Sequence, residues 1–392
     1  MITSQKAIQS GWKVWRFDQM ATNVNVRIDN PSESGMEHYI GLEHLDSDSL
    51  KIRRWGSPDD VEATKLVFKK GDIIFGRRRA YQRKLGVAEF DGICSAHAMV
   101  LRAKPEVVLP EFLPFFMQSD LFMNRAIEIS VGSLSPTINW KTMAVQEFAL
   151  PSISRQSELV EALRAIEKTL EAQTNAAEIG RVTRAALVED ALAANFEPKV
   201  AKPLGTYLTD LSYGSSSRSA YEKLGYPILR IPNVLRGSVD YSDLQHIELN
   251  DAEYARLALR KGDVLLVRTN GNPQYVGRSV VINHLPERTV YASYLIRIRC
   301  DESTLRPGFL AEYLNAPSTR QRLRGEVKSS AGNYNINIAG IKKQPICTPN
   351  VNDQDSLLLQ LKDLDAAIEV LESRIVTSRS IKKQLLAETW GA

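Results

Sequence analysis

An internal repeat constrains the fold of this chain more than any other feature of its sequence. KKGD at Lys69–Asp72 returns as RKGD at Arg260–Asp263, 191 positions later, and an apolar run follows each copy. Further along, an offset of 198 joins these pairs: Ile138 and Ile336, Asn139 and Asn337, Gln146 and Gln344, Pro151 and Pro349, Gln156 and Gln354. Because a register kept over such a distance indicates one structural unit used twice, the sequence predicts two globules of similar fold.

A long amphipathic helix is predicted after each copy of the repeat. Apolar residues recur there at steps of four and three, which is the spacing of one seam on a helix. Each run covers about 38 residues, from near Arg155 to Leu192 and from near Asp353 to Trp390. The predicted seam residues are Leu159, Leu163, Ile166, Leu170, Leu357, Leu361, Leu364, Ile368, Leu371 and Ile375.

The two seams favour an antiparallel pair of spacer helices. A narrow apolar seam buries little against its own globule, so packing the helices against each other is the economical solution. The first seam weakens at Gln173, Ala177, Gly180 and Arg184, which leaves the packing of its last turns open. The alternative is a pair of ordinary core helices.

The domain order is predicted as globule, helix, globule, helix, with the boundaries 1–152, 153–195, 196–350 and 351–392. Pro198 and Pro203 end the first helix, because proline cannot continue one. KLVFKKGDIIFG and LRKGDVLLVR indicate strand, turn and strand, VYASYLIRIR indicates a strand, and Pro110–Ile127 and Pro307–Leu323 indicate amphipathic helices. Strands and helices without regular alternation predict the α+β class.

Composition narrows the cellular setting. Three cysteines, far apart, exclude a disulfide framework and a clustered metal site, and they fit a reducing cytoplasm. No apolar run reaches the length of a membrane span, and the first residues do not resemble a secretion signal. The formal net charge of +4 permits a nucleic-acid partner without requiring one.

The apparent catalytic motifs are weak. NPQY at Asn272–Tyr275 resembles the motif with which amino-methyltransferases hold a flipped base, but its second proline is missing and no glycine-rich cofactor turn accompanies it. PDDVEATK has the wrong spacing for a nuclease, and no phosphate-binding loop for ATP is present. Cys94 and His97 lie in a strand-like stretch and are more simply core residues. The sequence therefore predicts a binding protein without metal or cofactor.

The clearest binding signal is a basic run after the first K-G-D turn. Arginine and lysine there suit phosphates, and an aromatic side chain can stack on bases or form hydrogen bonds. The alternative is an ordinary solvated loop. The residues predicted to bind DNA in this run are Arg77, Arg78, Arg79, Tyr81, Arg83 and Lys84.

Related signals occur in the second globule and just before each long helix. The loop after RKGD is rich in side chains that can contact base edges, although it can equally be a plain hairpin tip. Polar residues alternate with apolar ones before each helix, where they touch DNA or tie the globule to its helix. YGSSSR is predicted to be a flexible hydroxyl-rich loop whose one cation suits phosphates, or equally an ordinary Gly/Ser loop. The predicted residues are Arg268, Asn270, Asn272, Gln274, Tyr275, Arg278, Ser135, Asn139, Asn333, Asn335, Asn337, Ser216 and Arg218.

This doubled arrangement resembles the specificity subunit of type I restriction-modification systems. The resemblance rests on KKGDIIFG and RKGDVLLVR, on GSLSPTINW and GNYNINIAG, on the long helix after each, and on the terminal KKQLLAETW. It implies a noncatalytic subunit for host defence, in which two target-recognition domains read the halves of a gapped DNA site and the paired helices set the gap.

The resemblance also implies where the chemistry of such a complex resides. Two copies of a modification subunit bind the paired helices, carry S-adenosylmethionine and methylate adenine, whereas restriction subunits supply ATP- and Mg²⁺-dependent translocation and cleavage. Two alternatives from other classes stay open. One is a protein-binding scaffold with two globules on a helical rod, and the other is a methyltransferase in its own right, for which the sequence offers no cofactor site.

Overall fold

The computed structural model describes residues 11–194, 197, 199–235, 237–330 and 332–390. The chain divides into two compact units, Met1–Thr174 with Ser373–Ala392, and Asn175–Glu372. The sequence inferences that concern the first ten residues and Pro198 lie outside the described residues. No helix of the described ranges is long and apolar enough to cross a membrane.

The described residues of the first unit form ten short strands, four short helices and the first part of a long helix. Its strands are β1 (Lys13–Arg16), β2 (Ala21–Val24), β3 (Arg27–Ile28), β4 (Tyr39–Ile40), β5 (Lys65–Phe68), β6 (Ile73–Phe75), β7 (Leu85–Val87), β8 (Gly92–Ser95), β9 (Met99–Ala103) and β10 (Glu147–Leu150). Its helices are α1 (Phe17–Met20), α2 (Phe112–Gln118), α3 (Asp120–Glu128), α4 (Trp140–Ala144) and the first part of α5 (Ile153–Ala194).

The second unit has the same mixture of elements. Its strands are β11 (Lys202–Pro203), β12 (Leu208–Tyr213), β13 (Tyr226–Leu229), β14 (Gln245–Ile247), β15 (Val264–Val267), β16 (Thr269–Asn270), β17 (Ser279–Val281), β18 (Val290–Tyr291), β19 (Leu295–Cys300), β20 (Lys328–Ser330), β21 (Asn333–Asn335) and β22 (Pro345–Ile346). Its helices are α6 (Asp251–Leu257), α7 (Pro307–Asn315), α8 (Pro317–Glu326), α9 (Ile338–Lys342) and α10 (Val351–Trp390), of which α10 ends in the first unit.

The predicted repeat is present in the sheet topology. A four-stranded antiparallel sheet has the order β2-β9-β6-β7 in the first unit and β12-β19-β15-β17 in the second. The other sheets differ: β3-β5-β8-β4 has four strands, whereas β14-β13-β18 has three. Each globule therefore has its own central sheet of the same strand order, and the two globules differ in the elements around it.

The K-G-D turn explains why its aspartate occurs in both copies. Asp72 is fully buried, accepts a hydrogen bond from the Lys69 amide at 2.8 Å and holds Arg102 of β9 with both oxygens, at 2.7 and 2.9 Å. Asp263 is buried in the same way and pairs with Arg299 of β19 at 2.6 and 3.1 Å. A buried carboxylate needs such partners, so the motif is part of the sheet and not of a binding site.

Some local predictions need correction. No strand lies directly before the RKGD turn in the described residues. Helix α6, which begins where Asn250 and Glu253 cap each other's backbone amides at 2.9 and 3.0 Å, ends at Leu257, and Leu259 lies outside any helix or strand. VYASYLIRIR contains two strands, β18 and β19. Each predicted amphipathic helix is likewise two helices, interrupted at Ser119, which caps α3, and at Ala316, which precedes a proline and is therefore disfavoured from the helical conformation.

The two long helices pack antiparallel within each unit. In the first unit, Lys382 of α10 pairs with Glu167 of α5, and the Ser378 hydroxyl donates to the Gln173 side chain at 3.2 Å. Higher residue numbers in α5 thus pair with lower residue numbers in α10, so the helices run antiparallel, as the sequence predicts.

Helix pairing in the second unit explains why the first seam looks interrupted. A Cβ atom on Gly180 would lie 2.9 Å from Cγ1 of Ile368, so the glycine makes room for that side chain. Arg184 pairs with Asp365 of α10 at 2.6 Å and with Glu312 of α7 at 2.7 Å. The apparent gaps in the seam are therefore contacts of another kind.

The seam also belongs to the globular cores, contrary to the expectation that it buries little there. Leu159 and Leu163 lie in the core of the first unit together with Trp390 of α10, and Leu357 and Leu361 lie in the core of the second. Of the remaining predicted seam residues, Ile368 and Ile375 are buried, and the others are partly buried: Ile166, Leu170, Leu364 and Leu371.

Candidate nucleic-acid interface

The first candidate surface consists of the loop 77–84 and the segment 131–137, which the backbone joins. Arg78 and Thr137 pair as an antiparallel bridge. The Arg79 amide donates to the Pro136 carbonyl at 2.7 Å, and the Ile138 amide donates to the Arg77 carbonyl at 3.0 Å. Two segments that the sequence predicts separately thus form one surface.

This loop has a defined shape and is not merely a solvated run of charge. Arg79 and Arg83 have φ angles of 58° and 52°, in the left-handed region that non-glycine residues seldom adopt, and they flank a short 3₁₀ turn, Ala80–Gln82. Such a backbone persists only where surrounding contacts determine it.

Arg78 and Arg79 point into this surface without a carboxylate partner. The Nε atoms of both side chains donate to the Ser135 hydroxyl, at 2.8 and 3.1 Å. Nη1 of Arg78 lies 3.3 Å from Nε2 of His97. Within the described ranges neither guanidinium forms an ion pair, so the first surface has two positive charges held by a neutral hydroxyl, which suits a phosphate or a base edge.

Two of the predicted residues are engaged in other contacts. Arg83 donates to Asp48 at 2.6 Å, to Asp120 at 2.9 Å and to the Gln118 carbonyl at 2.5 Å. Lys84 donates to the Leu42 carbonyl at 2.6 Å. These contacts favour a structural role for both. In contrast, the side chains of Tyr81 and Asn139 are exposed, and Asn139 makes no capping hydrogen bond to α4.

The second candidate surface consists of a three-stranded sheet, β16-β21-β20, and the loop 271–278. Thr269 and Asn270 pair with Asn335 and Tyr334 across this sheet. Its centre is equivalent to the Arg78–Thr137 bridge, because the repeat offsets of 191 and 198 relate Arg78 to Thr269 and Thr137 to Asn335. The same arrangement is therefore built twice.

The asparagines of this loop shape its backbone with their carbonyl oxygens. Asn270 accepts from the Asn272 amide at 2.8 Å, and Asn272 accepts from the Gln274 amide at 2.9 Å, a pattern that belongs to turns. Asn337 accepts from the Gly340 amide at 2.8 Å and caps α9. Asn333 is exposed in β21, and Ser216 and Arg218 are exposed in the loop after β12.

Two arginines of the second surface lie over aromatic rings. Arg268 lies 4.6 Å from the ring centre of Tyr213, and Arg278 lies 4.7 Å from that of Tyr275. Arg278 also donates to the Leu235 carbonyl at 3.2 Å. A flat guanidinium on an aromatic face is held in position while the edges of both groups remain available.

Arg320 of α8 supports the loop and was missed at the sequence level. It donates to the carbonyls of Val276 and Gln274, the latter at 2.6 Å. Burial, together with the nearby charges of Arg278 and Arg324, lowers the pKa of Arg320 to about 10, which leaves it protonated at neutral pH. The helix that carries it gives no sequence signal of this contact, because the loop lies more than forty residues earlier.

The described residues hold no cluster of three or more His, Cys, Asp or Glu side chains suited to a metal. Cys94 is buried in β8, and burial raises the pKa of its thiol to about 12, so it is protonated and unreactive at neutral pH. The burial of Cys94 agrees with its interpretation as a core residue. His97 is instead exposed beside Arg78.

Comparison with known proteins places this chain beside DNA specificity proteins. A family model described as the type I restriction modification DNA specificity domain matches residues 11–179. The chain is 27% identical to the type I restriction enzyme EcoKI specificity subunit of Escherichia coli (strain K12), over 85% of this chain and 72% of that protein. It is 21% identical to the StySPI specificity subunit of Salmonella potsdam, over 89% and 76%.

Solved structures agree on the fold. A chain from a structure on complex assembly and conformational transition of the type I R-M system matches with a TM-score of 0.62 and 20% identity, over 98% of each chain. The S subunit of a type I restriction-modification system from M. genitalium matches with a TM-score of 0.57 and 12% identity, over 100% of this chain and 98% of that one.

Residues 11–179 thus match the type I restriction modification DNA specificity domain. Along most of its length the chain is similar to specificity subunits of type I restriction enzymes, of which the EcoKI and StySPI subunits are examples. The resemblance inferred from its motifs is confirmed.

Proposed function

We propose that this chain is the noncatalytic subunit that selects the DNA sequence for a type I restriction-modification complex. Each globule reads one half of a bipartite site, and the long helices set the gap between the halves. The target-recognition domains are residues 1–152 and 196–350, and the spacer helices occupy 153–195 and 351–392. The chain directs its partner subunits to DNA in the cytoplasm.

The repeated polar surface is the observation that carries this proposal. A fixed backbone pairing, Arg78 with Thr137 and Thr269 with Asn335, supports a loop rich in arginine or amides in each unit. A bipartite DNA site requires two such surfaces with related frameworks and different side chains, because the framework positions the protein and the side chains select the bases. The similarity to specificity subunits over most of the chain favours this function over a protein scaffold.

Catalysis in the complex belongs to the partners. Two copies of a modification subunit bind the helices, carry S-adenosylmethionine and methylate adenine, and restriction subunits, where the host has them, bring ATP and Mg²⁺. This chain contributes binding and orientation and holds no cofactor.

The proposed DNA contacts are the predicted residues other than Arg83 and Lys84, whose side chains are engaged in contacts within the first unit. In the first unit they are Arg77, Arg78, Arg79, Tyr81, Ser135 and Asn139. In the second unit they are Ser216, Arg218, Arg268, Asn270, Asn272, Gln274, Tyr275, Arg278, Asn333, Asn335 and Asn337.

The test is reconstitution with the modification subunit. Purified modification subunit with this chain should methylate DNA at one bipartite sequence, and the modification subunit alone should methylate no defined sequence. Binding of the complex to a duplex with that site should weaken as the salt concentration rises. Methylation of the same sequence without this chain would overturn the proposal.

A further inference from the structure

The two units share an arginine that clamps the turn before the last strand of the central sheet. Arg77 donates through Nη2 to the Ala96 carbonyl at 3.0 Å, and Arg268 donates through Nη1 to the Ser293 carbonyl at 3.3 Å. In both residues Nε is buried without a hydrogen-bond partner among the described residues. The arginines are related by the repeat offset of 191, and the carbonyls by an offset of 197, which also relates Arg102 of β9 to Arg299 of β19, so the clamps are equivalent.

An exposed ring follows each clamped carbonyl. His97 comes after Ala96, and Tyr294 comes after Ser293, so the two rings occupy one position of the repeat. The side chain of Tyr294 is 57% exposed, and His97 is also exposed. The residues just beyond them, Ala98 and Leu295, are buried. The two rings therefore do not belong to the core, although each unit has one at this position.

Each ring lies beside side chains of its own candidate surface. His97 contacts Arg78 and, with Arg79 and Ser95, lines a cavity of about 280 Å³ in the first unit. In the second unit, the Tyr294 carbonyl accepts from the Arg268 amide at 2.9 Å, next to the Arg268–Tyr213 stack. The rings therefore belong to the surfaces, although neither motif analysis nor the basic runs point to them.

The two rings offer different chemistry at the same place. Burial, together with the charges of Arg78 and Arg77, lowers the pKa of His97, so the imidazole is neutral at pH 7. With Nε2 facing Arg78 as the acceptor, Nδ1 carries the hydrogen and is a donor. The Tyr294 hydroxyl donates or accepts, and it has no partner among the described residues.

We propose that His97 and Tyr294 are specificity-determining residues, each contacting one base pair of the half-site that its own unit reads. The clamp arginines Arg77 and Arg268, which are also among the proposed DNA contacts, position the turn through their hydrogen bonds to the Ala96 and Ser293 carbonyls. This inference rests on the proposed function and adds the position at which two similar frameworks acquire different base preferences. Discrimination by one base contact corresponds to a factor of about ten or more.

The experiment is methylation by the assembled complex on a pool of duplexes with one randomised position at a time. His97→Ala should reduce discrimination about tenfold or more at one base pair of one half-site and leave the other half-site unchanged. Tyr294→Ala should do the reverse, so each variant is the control for the other. His284→Ala, which removes an exposed ring outside both surfaces, should change neither half-site.

Milder variants separate base contacts from folding. Tyr294→Phe and His97→Gln keep the size of the side chain, and their melting temperatures should match that of the unmodified complex. Specific methylation by the Ala variants with unchanged base preference, or a uniform loss of affinity at all positions, would overturn the inference and leave the proposed function standing. Failure of the unmodified complex to methylate any defined sequence would instead refute the proposed function.

Discussion

Individual arginines in this chain divide into structural and available ones. Arg102 and Arg299 hold buried aspartates of the central sheets, and Arg184 joins two carboxylates. Among the described residues, the side chains of Arg78 and Arg79 have the Ser135 hydroxyl and, for Arg78, the neighbouring His97 as partners, and no carboxylate. The sequence shows a basic run but not this division, because the carboxylate partners come from distant positions. Arg83, which lies in the same run, is on the structural side.

Arg78→Ala and Arg79→Ala should each weaken DNA binding by the assembled complex. Each removes a charge that neutralises phosphate, so the slope of log affinity against log salt should decrease by about one unit per variant. Fluorescence anisotropy titrations at several salt concentrations measure this slope. Arg27→Ala, a control in the same unit outside the loop, should leave this slope unchanged. Equal slopes for all proteins would show that Arg78 and Arg79 do not contact phosphate.

Buried thiols predict a loss of stability at high pH. Burial raises the pKa of Cys94 and of Cys300 to about 12 from the ordinary value of 9.0. The unfolded chain therefore releases these protons first, and its free energy falls relative to the folded state above pH 9. Between pH 8 and pH 10 the free energy of unfolding should decrease by about 1 kcal/mol per thiol.

Urea denaturation at both pH values tests this loss. The double variant Cys94→Ala/Cys300→Ala should lose less stability between pH 8 and pH 10 than the unmodified chain, since tyrosines that titrate at high pH remain in both proteins. An identical decrease in the two proteins would show that the thiols do not contribute.

At the scale of elements, paired glutamines attach each long helix to its globule. Gln156 is buried, accepts from the Leu109 amide at 2.9 Å and donates to the Pro151 carbonyl at 3.0 Å. Gln354 accepts from the Arg306 amide at 2.8 Å and donates to the Pro349 carbonyl at 2.8 Å. The sequence predicted that these positions correspond, and the structure supplies the reason for it.

Gln354→Leu should destabilise the protein by about 2 to 4 kcal/mol. It removes the partner of the part-buried Arg306 amide and of the Thr304 and Pro349 carbonyls near the start of α10, and each unsatisfied buried group costs about 1 to 3 kcal/mol. Chemical denaturation monitored by circular dichroism measures the change. Gln360→Leu, on an exposed position of the same helix, should have little effect, and equal costs for the two variants would refute the attachment role.

The helix pair gives a second test at this scale. Gly180→Leu should destabilise the protein by about 1 to 3 kcal/mol, because the new side chain meets Ile368 at close range. Ala176→Leu, at an exposed position of the same helix, should not. Ile368→Ala should restore part of the stability of Gly180→Leu. Thermal denaturation decides it, and a failure of the second substitution to help would argue against close packing at Gly180.

These elements also show which parts of the fold can be predicted from the sequence. Periodicity predicted both long helices, and the repeat predicted two globules of similar fold, which the matching order of their central sheets confirms. The break at Ser119, helix α6 and the support of the loop by Arg320 depend on caps and long-range contacts. Caps and long-range contacts produce no periodic pattern in the sequence, so only the structure shows these features.

At the scale of the whole molecule, the internal repeat says more about how DNA would be recognised than the net charge does. A formal charge of +4 is small for a DNA-binding protein of 392 residues, and arginines such as Arg102, Arg184 and Arg299 are paired with carboxylates of their own unit. The proposed recognition of DNA therefore depends on two local surfaces and not on a uniformly basic molecule. If the surfaces act separately, DNA specificity should be modular.

Exchange of one recognition segment tests this modularity most directly. Residues Pro203 to Pro349 would be replaced by the equivalent segment of another such subunit, and the methylated sites of the assembled complex would be mapped. The account predicts a new sequence in one half-site, with the other half-site and the gap unchanged. A chimera that methylates sites altered in both halves would contradict it, because the two globules would then not be independent readers.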